Sequence, residues 1–316
     1  MNKRGFIFVI SSVIIIAVLL LVFLTFDQYS YSDKSFADQR RLDFGNDFVR
    51  GFNQDLERAI RIASFRSLIA LEEYIAISGQ FLNNTEAQFA ETVYNGTING
   101  VPAIIMTNSS IVEYLKRINV IGQRFGLEVS VSVDEILLSQ SNPWYVNVVV
   151  VANVSVFDVS GFASWTFSEA YKSEVPIANL RDPLYAVHTQ NRFYNTIRQY
   201  SGDLSMGDPV SNIETLMGGS LYVASEFAPS FIQRFSNNVS PSPAGIESLV
   251  NIMLISDQDI PVYANRVKID YIYFNNLASD KRCDFDGVNP DYKLVLPSNR
   301  LSMYYVDGLN PSSSCP

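Results

Sequence analysis

Histidine is all but absent from this chain: His188 is the only one in 316 residues. That count excludes a zinc centre built on histidines, and two cysteines cannot complete a cysteine-rich one. A Ser-His-Asp site would have to use His188, and no G-x-S-x-G elbow accompanies it. S-x-x-K, H-E-x-x-H and the Walker glycine loop are missing as well. There is no Pro-rich or Gly/Ser-rich linker and no internal repeat. Glu72 and Glu73, adjacent on a predicted helix, point to different faces and are expected to be solvated. These absences predict a protein that is not an enzyme and has no cofactor.

Charge of one sign is also scarce. The formal balance is −9, and setting aside Lys3 and Arg4 leaves 21 basic against 32 acidic residues, or −11. An acidic surface excludes nucleic acid as a partner and suits exposure to salt or cations. Phenylalanine (21) and tyrosine (17) are abundant, so a sizeable core can be buried.

What is present in quantity is the apolar run at the start. Of the 21 residues 6–26, seventeen are Val, Ile, Leu or Phe. On the insertion scale such a run gains about 5–10 kcal/mol in a bilayer. As a helix it would measure about 31 Å, against a hydrocarbon core of about 30 Å. Lys3 and Arg4 precede it and Asp27 follows. The positive-inside rule then predicts a single-pass membrane protein with a cytoplasmic amino terminus, the bulk of the chain extracellular and the lipid bilayer as a partner. A cleaved secretory signal, with a poor site at Ser30-Tyr31-Ser32, is the alternative.

The stretch "NKRG" followed by "FIFVI" resembles the class III signals of type IV pilins and related archaeal surface proteins. The resemblance covers about 26 residues. It implies cleavage between Gly5 and Phe6, retention of the apolar helix, and like subunits of a pilus or surface assembly as partners. Ile10 stands where many bacterial pilins carry a glutamate, and an uncleaved signal anchor is the other reading. The segments "NPWYVNVVVVANVSVFDVSGFASW", "LRDPLYAV" and "AGIESLV" are similar to archaeal membrane-anchored surface proteins that share this signal, a group without an assigned activity.

Beyond the run, residues 34 to about 78 are helical in pattern. Phe44, Phe48, Phe52 and Leu56 recur every fourth residue, and Ala59, Ile60 and Ala63 continue the stripe. Gly45 and Gly51 predict a break or kink. Asn95-Gly96 and Asn99-Gly100 mark tight turns, and Asn108-Ser109-Ser110 opens an amphipathic helix reaching about Gly126. Three extended segments follow, at 127–139, 144–158 and 163–177, as an antiparallel meander. Further on, the pattern predicts a helix at 190–200 and a final strand at 265–274.

Cys283 and Cys315 sit in the last 34 residues, and outside a membrane such a pair is expected to form a disulfide. Closing that loop would stabilise the fold by roughly 3–4 kcal/mol on the chain-entropy model. Between them, "CDFDGVNPDY" puts Asp284, Asp286, Asn289 and Asp291 around Gly287. This reads as an Asp/Gly/Pro turn, with calcium as the alternative occupant. Five sequons, at Asn83, Asn95, Asn108, Asn153 and Asn238, permit glycosylation. With 25 asparagines in the chain, five sequons are close to the number chance would supply.

Together these readings predict an α+β fold with an N-terminal transmembrane helix, a long helical stalk and an antiparallel β-sheet head with packed helices. The expected boundaries are a cytoplasmic leader 1–5, a transmembrane helix 6–26, a stalk 27–82, an α+β domain with the antiparallel sheet 83–187, and a second α+β lobe 188–316 carrying the disulfide. The expected function is a membrane-anchored, extracytoplasmic, pilin-like structural or adhesive surface component. An anchored ectodomain binding a ligand or membrane partner is the alternative, and an anchored extracellular hydrolase a third.

Overall fold

The computed structural model describes residues 3–278, 282–285 and 293–309, with side chains from residue 12 onward except 26–38. Its first element, α1, is one helix of 76 residues, Lys3–Ser78. The predicted break at Gly45 and Gly51 is not found. Gly45 is instead a close-approach position, because a Cβ there would overlap the Trp165 indole. The fourth-residue stripe holds in its later part: Phe52, Leu56, Ile60 and Ala63 are all buried.

The expectation of a transmembrane helix at 6–26, and with it a single-pass membrane location, is corrected. Among the described residues no helix is long and apolar enough to cross a membrane. The side chains described within the run cover 12–25, fourteen residues or about 21 Å of helix, well short of a hydrocarbon core of about 30 Å. The side chains of 6–11 and 26 lie outside the described residues.

The remaining elements follow in chain order. Helix α2 (Thr85–Asn95) starts where Asn84 accepts from the Ala87 N–H and stops at Gly96, φ 77°. Strands β1 (Thr97–Ile98) and β2 (Val101–Pro102) form an antiparallel hairpin. Its turn residues, Asn99 and Gly100, have φ of 52° and 78°, the left-handed pair that a two-residue turn requires. After a 3₁₀ turn (Ile104–Met106) comes α3 (Ile111–Arg124), where the Glu113 N–H donates to Ser110 Oγ. Strands β3 (Leu127–Asn142), β4 (Tyr145–Asp158) and β5 (Ser164–Pro176) then form a sheet in the order β3-β4-β5, joined by short connections as antiparallel neighbours are. In β4 every second residue from Val146 to Val156 is buried.

Short elements make up the rest: α4 (Pro183–His188), α5 (Pro209–Gly219), β6 (Tyr222–Ala224), α6 (Phe231–Arg234), β7 (Ile246–Ser248), α7 (Ile252–Ser256), α8 (Asp270–Asn275), β8 (Arg282–Phe285), β9 (Leu294–Pro297) and a 3₁₀ turn at Ser298–Arg300. The pairs β6–β7 and β8–β9 are antiparallel. The α+β class with antiparallel sheets thus holds, while two local expectations fail. Residues 190–200 are not helical: Gln190 and Asn191 take left-handed backbone, φ 52° and 59°, and the segment continues as bridges, Thr196 to Arg181 and Gln199 to Tyr222. The expected strand at 265–274 contains α8, entered through the Tyr273 N–H donating to the Ile269 carbonyl at 2.8 Å.

The chain divides into two units. Unit 1 comprises Met1–Asp55, Ile118–Ser130 and Val154–Phe167. Within it Arg41 grips Asp158 through Nε (2.5 Å) and Nη2 (2.9 Å), and Trp165 Nε1 donates to Asn46 at 2.9 Å. Hydrogen bonds from Ser160, with the Arg41 guanidinium behind them, hold the Asp158 carboxyl below its usual range against the effect of burial.

Unit 2 comprises Leu56–Arg117, Val131–Asn153 and Ser168–Pro316. Its principal core runs from Leu184 through Val306 and draws on α4, α5, α7, α8, β6, β8 and β9. Within the same unit, Glu91 closes the β1–β2 hairpin, accepting from Thr97 Oγ1 (2.6 Å), the Gly100 N–H (2.7 Å) and the Asn99 N–H (3.0 Å). Burial alone would raise its carboxyl, but these three donors outweigh it and hold it below the ordinary value. Glu91→Ala is therefore expected to cost about 1–2 kcal/mol in urea denaturation at pH 7. Because the carboxyl is depressed, that difference should shrink as pH falls through its folded value. An unchanged midpoint at pH 7 would show that the hairpin holds without it.

Candidate functional site

Two buried arginines organise unit 2, and they share two elements. Along β7 successive side chains point to opposite faces, so Glu247 and Ser248 enter different clusters. The adjacent Asp270 and Tyr271 on α8 divide in the same way.

The first cluster surrounds Arg234, at the end of α6 and fully buried. Its Nη1 donates to Asp182 Oδ2 at 2.6 Å and to Asp270 Oδ2 at 2.8 Å, and its Nη2 donates to the Ile246 carbonyl. Asp182 also caps α4, accepting from the Leu184 N–H at 2.9 Å, with Pro183 in the first helical turn. Tyr222 OH donates to Asp182 at 2.7 Å, Asn195 Nδ2 to Tyr222 OH at 2.9 Å, and Ser248 Oγ to Asp270 at 3.0 Å. Burial pushes the Asp270 carboxyl up, while Arg234 pulls it down. Burial also holds the Tyr222 and Tyr185 hydroxyls well above their ordinary value. With Arg234, Asp182, Asp270, Asn195 and Ser248 all 2% exposed or less, this cluster is a structural tie.

The second cluster surrounds Arg300, 2% exposed, in the 3₁₀ turn after β9. Its Nε donates to Glu247 Oε2 at 3.4 Å and its Nη2 to Tyr271 OH at 2.9 Å. Its guanidinium lies 4.2 Å from the Phe227 ring centroid, a cation–π distance. Tyr304 OH donates to the other Glu247 oxygen at 3.0 Å, and Tyr271 OH to the Phe227 carbonyl at 3.1 Å. Nη1 of Arg300 is left with no hydrogen-bond partner. Burial pushes the Glu247 carboxyl up against the pull of Arg300, and pushes the Tyr271 hydroxyl up to about 12, reinforced by Glu247.

Unlike the first cluster, the second borders open space. A cavity of about 530 Å³ is lined by Arg300, Tyr271 and Phe227 on one hand and by apolar side chains such as Val239, Ile272 and Leu277 on the other. Its volume falls in the range of small-molecule sites, and its wall is mixed, with Ser298 and Asn299 adding polar groups to those of Arg300 and Tyr271.

No family model, curated protein or solved structure matches this chain. The site is accordingly read from its own geometry.

The residues singled out from sequence fall elsewhere. Gly5 and Phe6 are helical within α1, with side chains outside the described residues. Cys283 is buried on β8, and no free cysteine occurs among the described residues; Cys315 lies outside them. We propose the Cys283–Cys315 bridge, and thiol labelling of the denatured, unreduced chain should then find no reactive thiol; two per chain would refute it. Asp284 is on β8 opposite Val295, whereas Asp286, Asn289 and Asp291 lie outside the described residues. Among the described residues no group of three or more metal-ligating side chains is found. Asn83, Asn95, Asn108, Asn153 and Asn238 are all exposed, and Asn153 Nδ2 donates to Asp134 at 2.6 Å. His188 is a packing residue: its ring stacks on Phe274 at 5.2 Å, and burial lowers its pKa.

Sequence reasoning missed Arg234, Glu247, Asp270 and Arg300. The usable signal was one charge inside an apolar stretch, as in "SFIQRF", "GIESLV" and "IDYIYF", since such charges are buried only when paired. Adjacent Asp-Pro pairs at 182–183 and 208–209, each a helix start, carried a second.

Proposed function

We propose that the protein is a binding module whose unit 2 takes a small, largely apolar molecule in the Phe227/Tyr271/Arg300 cavity. The observation that carries this reading is the cavity itself, about 530 Å³, with apolar side chains beside the polar groups of Tyr271, Ser298, Asn299 and Arg300. Its titratable lining supports binding over proton-transfer chemistry. An arginine keeps its proton, and Tyr271, pushed up to about 12, keeps its own at neutral pH. Filling the space supplies the test. A fragment panel followed by ligand-observed NMR should find molecules that bind the wild type and lose binding to Leu277→Trp. A panel with no binder, or binders indifferent to that substitution, would refute the site.

The second reading is a pilin-like structural role, favoured by a 76-residue helix that precedes an antiparallel three-stranded sheet in the chain. It is a fold-level analogy. Concentration-dependent self-association in light scattering would support it, and a monomer at all concentrations would count against it.

A further inference from the structure

We infer that unit 2 carries a further site, in a pocket between the end of α1 and the β1–β2 hairpin, that takes a small primary amine with its ammonium on Glu73 and its apolar body against the hairpin. Ala70, Glu73, Tyr74 and Ile77 are spaced i, i+3, i+4, i+7 and so share one face of α1. Val101 of β2 and Ile104 of the following 3₁₀ turn belong to the other wall, and the pocket measures about 210 Å³. Ile77, Val101 and Ile104 are 79%, 66% and 86% exposed. Single exposed apolar side chains are ordinary, but three around one concavity mark a binding surface. The walls are fixed in advance. Asn99 Nδ2 donates to Tyr74 OH at 3.1 Å, tying the hairpin to α1, and Gln88 Nε2 donates to Asn99 Oδ1 at 3.1 Å. A preformed pocket spares the cost of ordering its walls on binding. This site shares no lining residue with the Phe227/Tyr271/Arg300 cavity and does not depend on the role proposed for it.

The head group follows from the one charged side chain in the wall. Glu73 is exposed, lines the pocket and has no hydrogen-bond or ionic partner among the described residues. Among the described residues no Lys, Arg or His lines the pocket. A carboxylate or phosphate ligand would therefore meet like charge, whereas a cation meets its complement. An alkylammonium brings one positive charge and three donors to the two Glu73 oxygens. The pocket is smaller than the about 300–1,000 Å³ of drug-sized sites, which limits the body to a short alkyl chain or a single ring.

The experiment titrates hexylamine, hexanol and hexanoate into the full chain labelled on its isoleucine methyl groups, and follows the Ile77 and Ile104 signals by NMR. Hexylamine is expected to shift both signals and to bind about threefold more tightly than hexanol, the modest gain of a solvent-exposed ion pair. Hexanoate should bind most weakly. Glu73→Gln should remove the preference for the amine and leave hexanol unchanged, while Ile104→Ser should weaken both, read at Ile77. Glu73 and Ile104 are exposed, so neither substitution opens the core. Leu277→Trp, in the other cavity, should leave these titrations as they are. If hexanol equals hexylamine on wild type, or Glu73→Gln keeps the preference, the amine assignment falls. If hexanoate binds most tightly, the head group has been misassigned. If no ligand moves the two signals, the pocket is not a site, whatever binds beside Phe227. If Leu277→Trp abolishes the shifts, the binding belongs to the other cavity and the inference falls while that reading stands. Should a variant fail to fold, the wild-type comparison of hexylamine with hexanol decides alone.

Discussion

Replacing Arg234 by methionine is expected to cost unit 2 about 3–5 kcal/mol, a large part of a domain's usual margin of about 5–15 kcal/mol. The arginine holds the carboxylates of Asp182 and Asp270 at 2.6 and 2.8 Å, and all three side chains are fully enclosed. Methionine fills a similar volume, so the loss comes from charge. Two carboxyls would remain in the core without their cation. They would have to take up protons or draw water inward, each at the expense of the folded state. Urea denaturation at pH 7 checks the size, and a change under 1 kcal/mol would mean that the cluster is not the tie described here.

Asp270→Asn separates charge from connection. It keeps one acceptor oxygen, enough for the Tyr271 N–H that now donates to Oδ1 or for the Ser248 donors on Oδ2, and sets an amide NH2 against the other. Arg234 would still have Asp182 as an ionic partner. The substitution should therefore cost less than Arg234→Met, about 1–3 kcal/mol, the usual range for an impaired buried hydrogen bond. An Asp270→Asn effect as large as that of Arg234→Met would place the main interaction on Asp270 alone.

The parts of the fold that were legible in the sequence are those decided by local chemistry. The Asn99-Gly100 turn needs two left-handed residues and has them. Ser110 opens α3, and the alternation from Val146 onward became β4. The parts that were not legible are those decided by distant partners. Residues 265–274 alternate well enough to suggest a strand, but Asp270 meets Arg234, 36 residues earlier in the chain, and the backbone turns into α8. Strand β8 was hidden because its Cys283 and Asp284 open a stretch rich in turn formers. The candidate site was least legible of all. Phe227, Tyr271 and Arg300 come from three separate segments, and nothing in their spacing announces a shared cavity.

Glu72 makes the same point and supplies the second large expected effect. Sequence reasoning placed Glu72 and Glu73 on different faces of a solvated helix. The faces do differ, and Glu73 is exposed, but Glu72 is buried at 7% exposure with its Oε1 unpartnered. Burial raises its carboxyl from 4.5 to about 8, with Asp182 adding to the rise and the Arg181 N–H and guanidinium opposing it. At neutral pH the folded chain thus keeps a proton on Glu72 that the unfolded chain gives up. The stability this contributes is fully present below pH 4.5 and is lost progressively as pH rises to about 8, a total of about 3–5 kcal/mol. Glu72→Gln keeps an acceptor for the Arg181 N–H and has no proton to lose. Its melting temperature should match that of wild type near pH 4.5, rise above it as pH increases, and lead by a constant margin past pH 8. Lys268, which burial lowers to about 8, works in the opposite sense at higher pH. Because it is common to both proteins, the difference between them at each pH isolates Glu72. Parallel curves for the two proteins from pH 4.5 to pH 8 would mean that Glu72 is ionised in the folded state, and its burial would then need a cation partner.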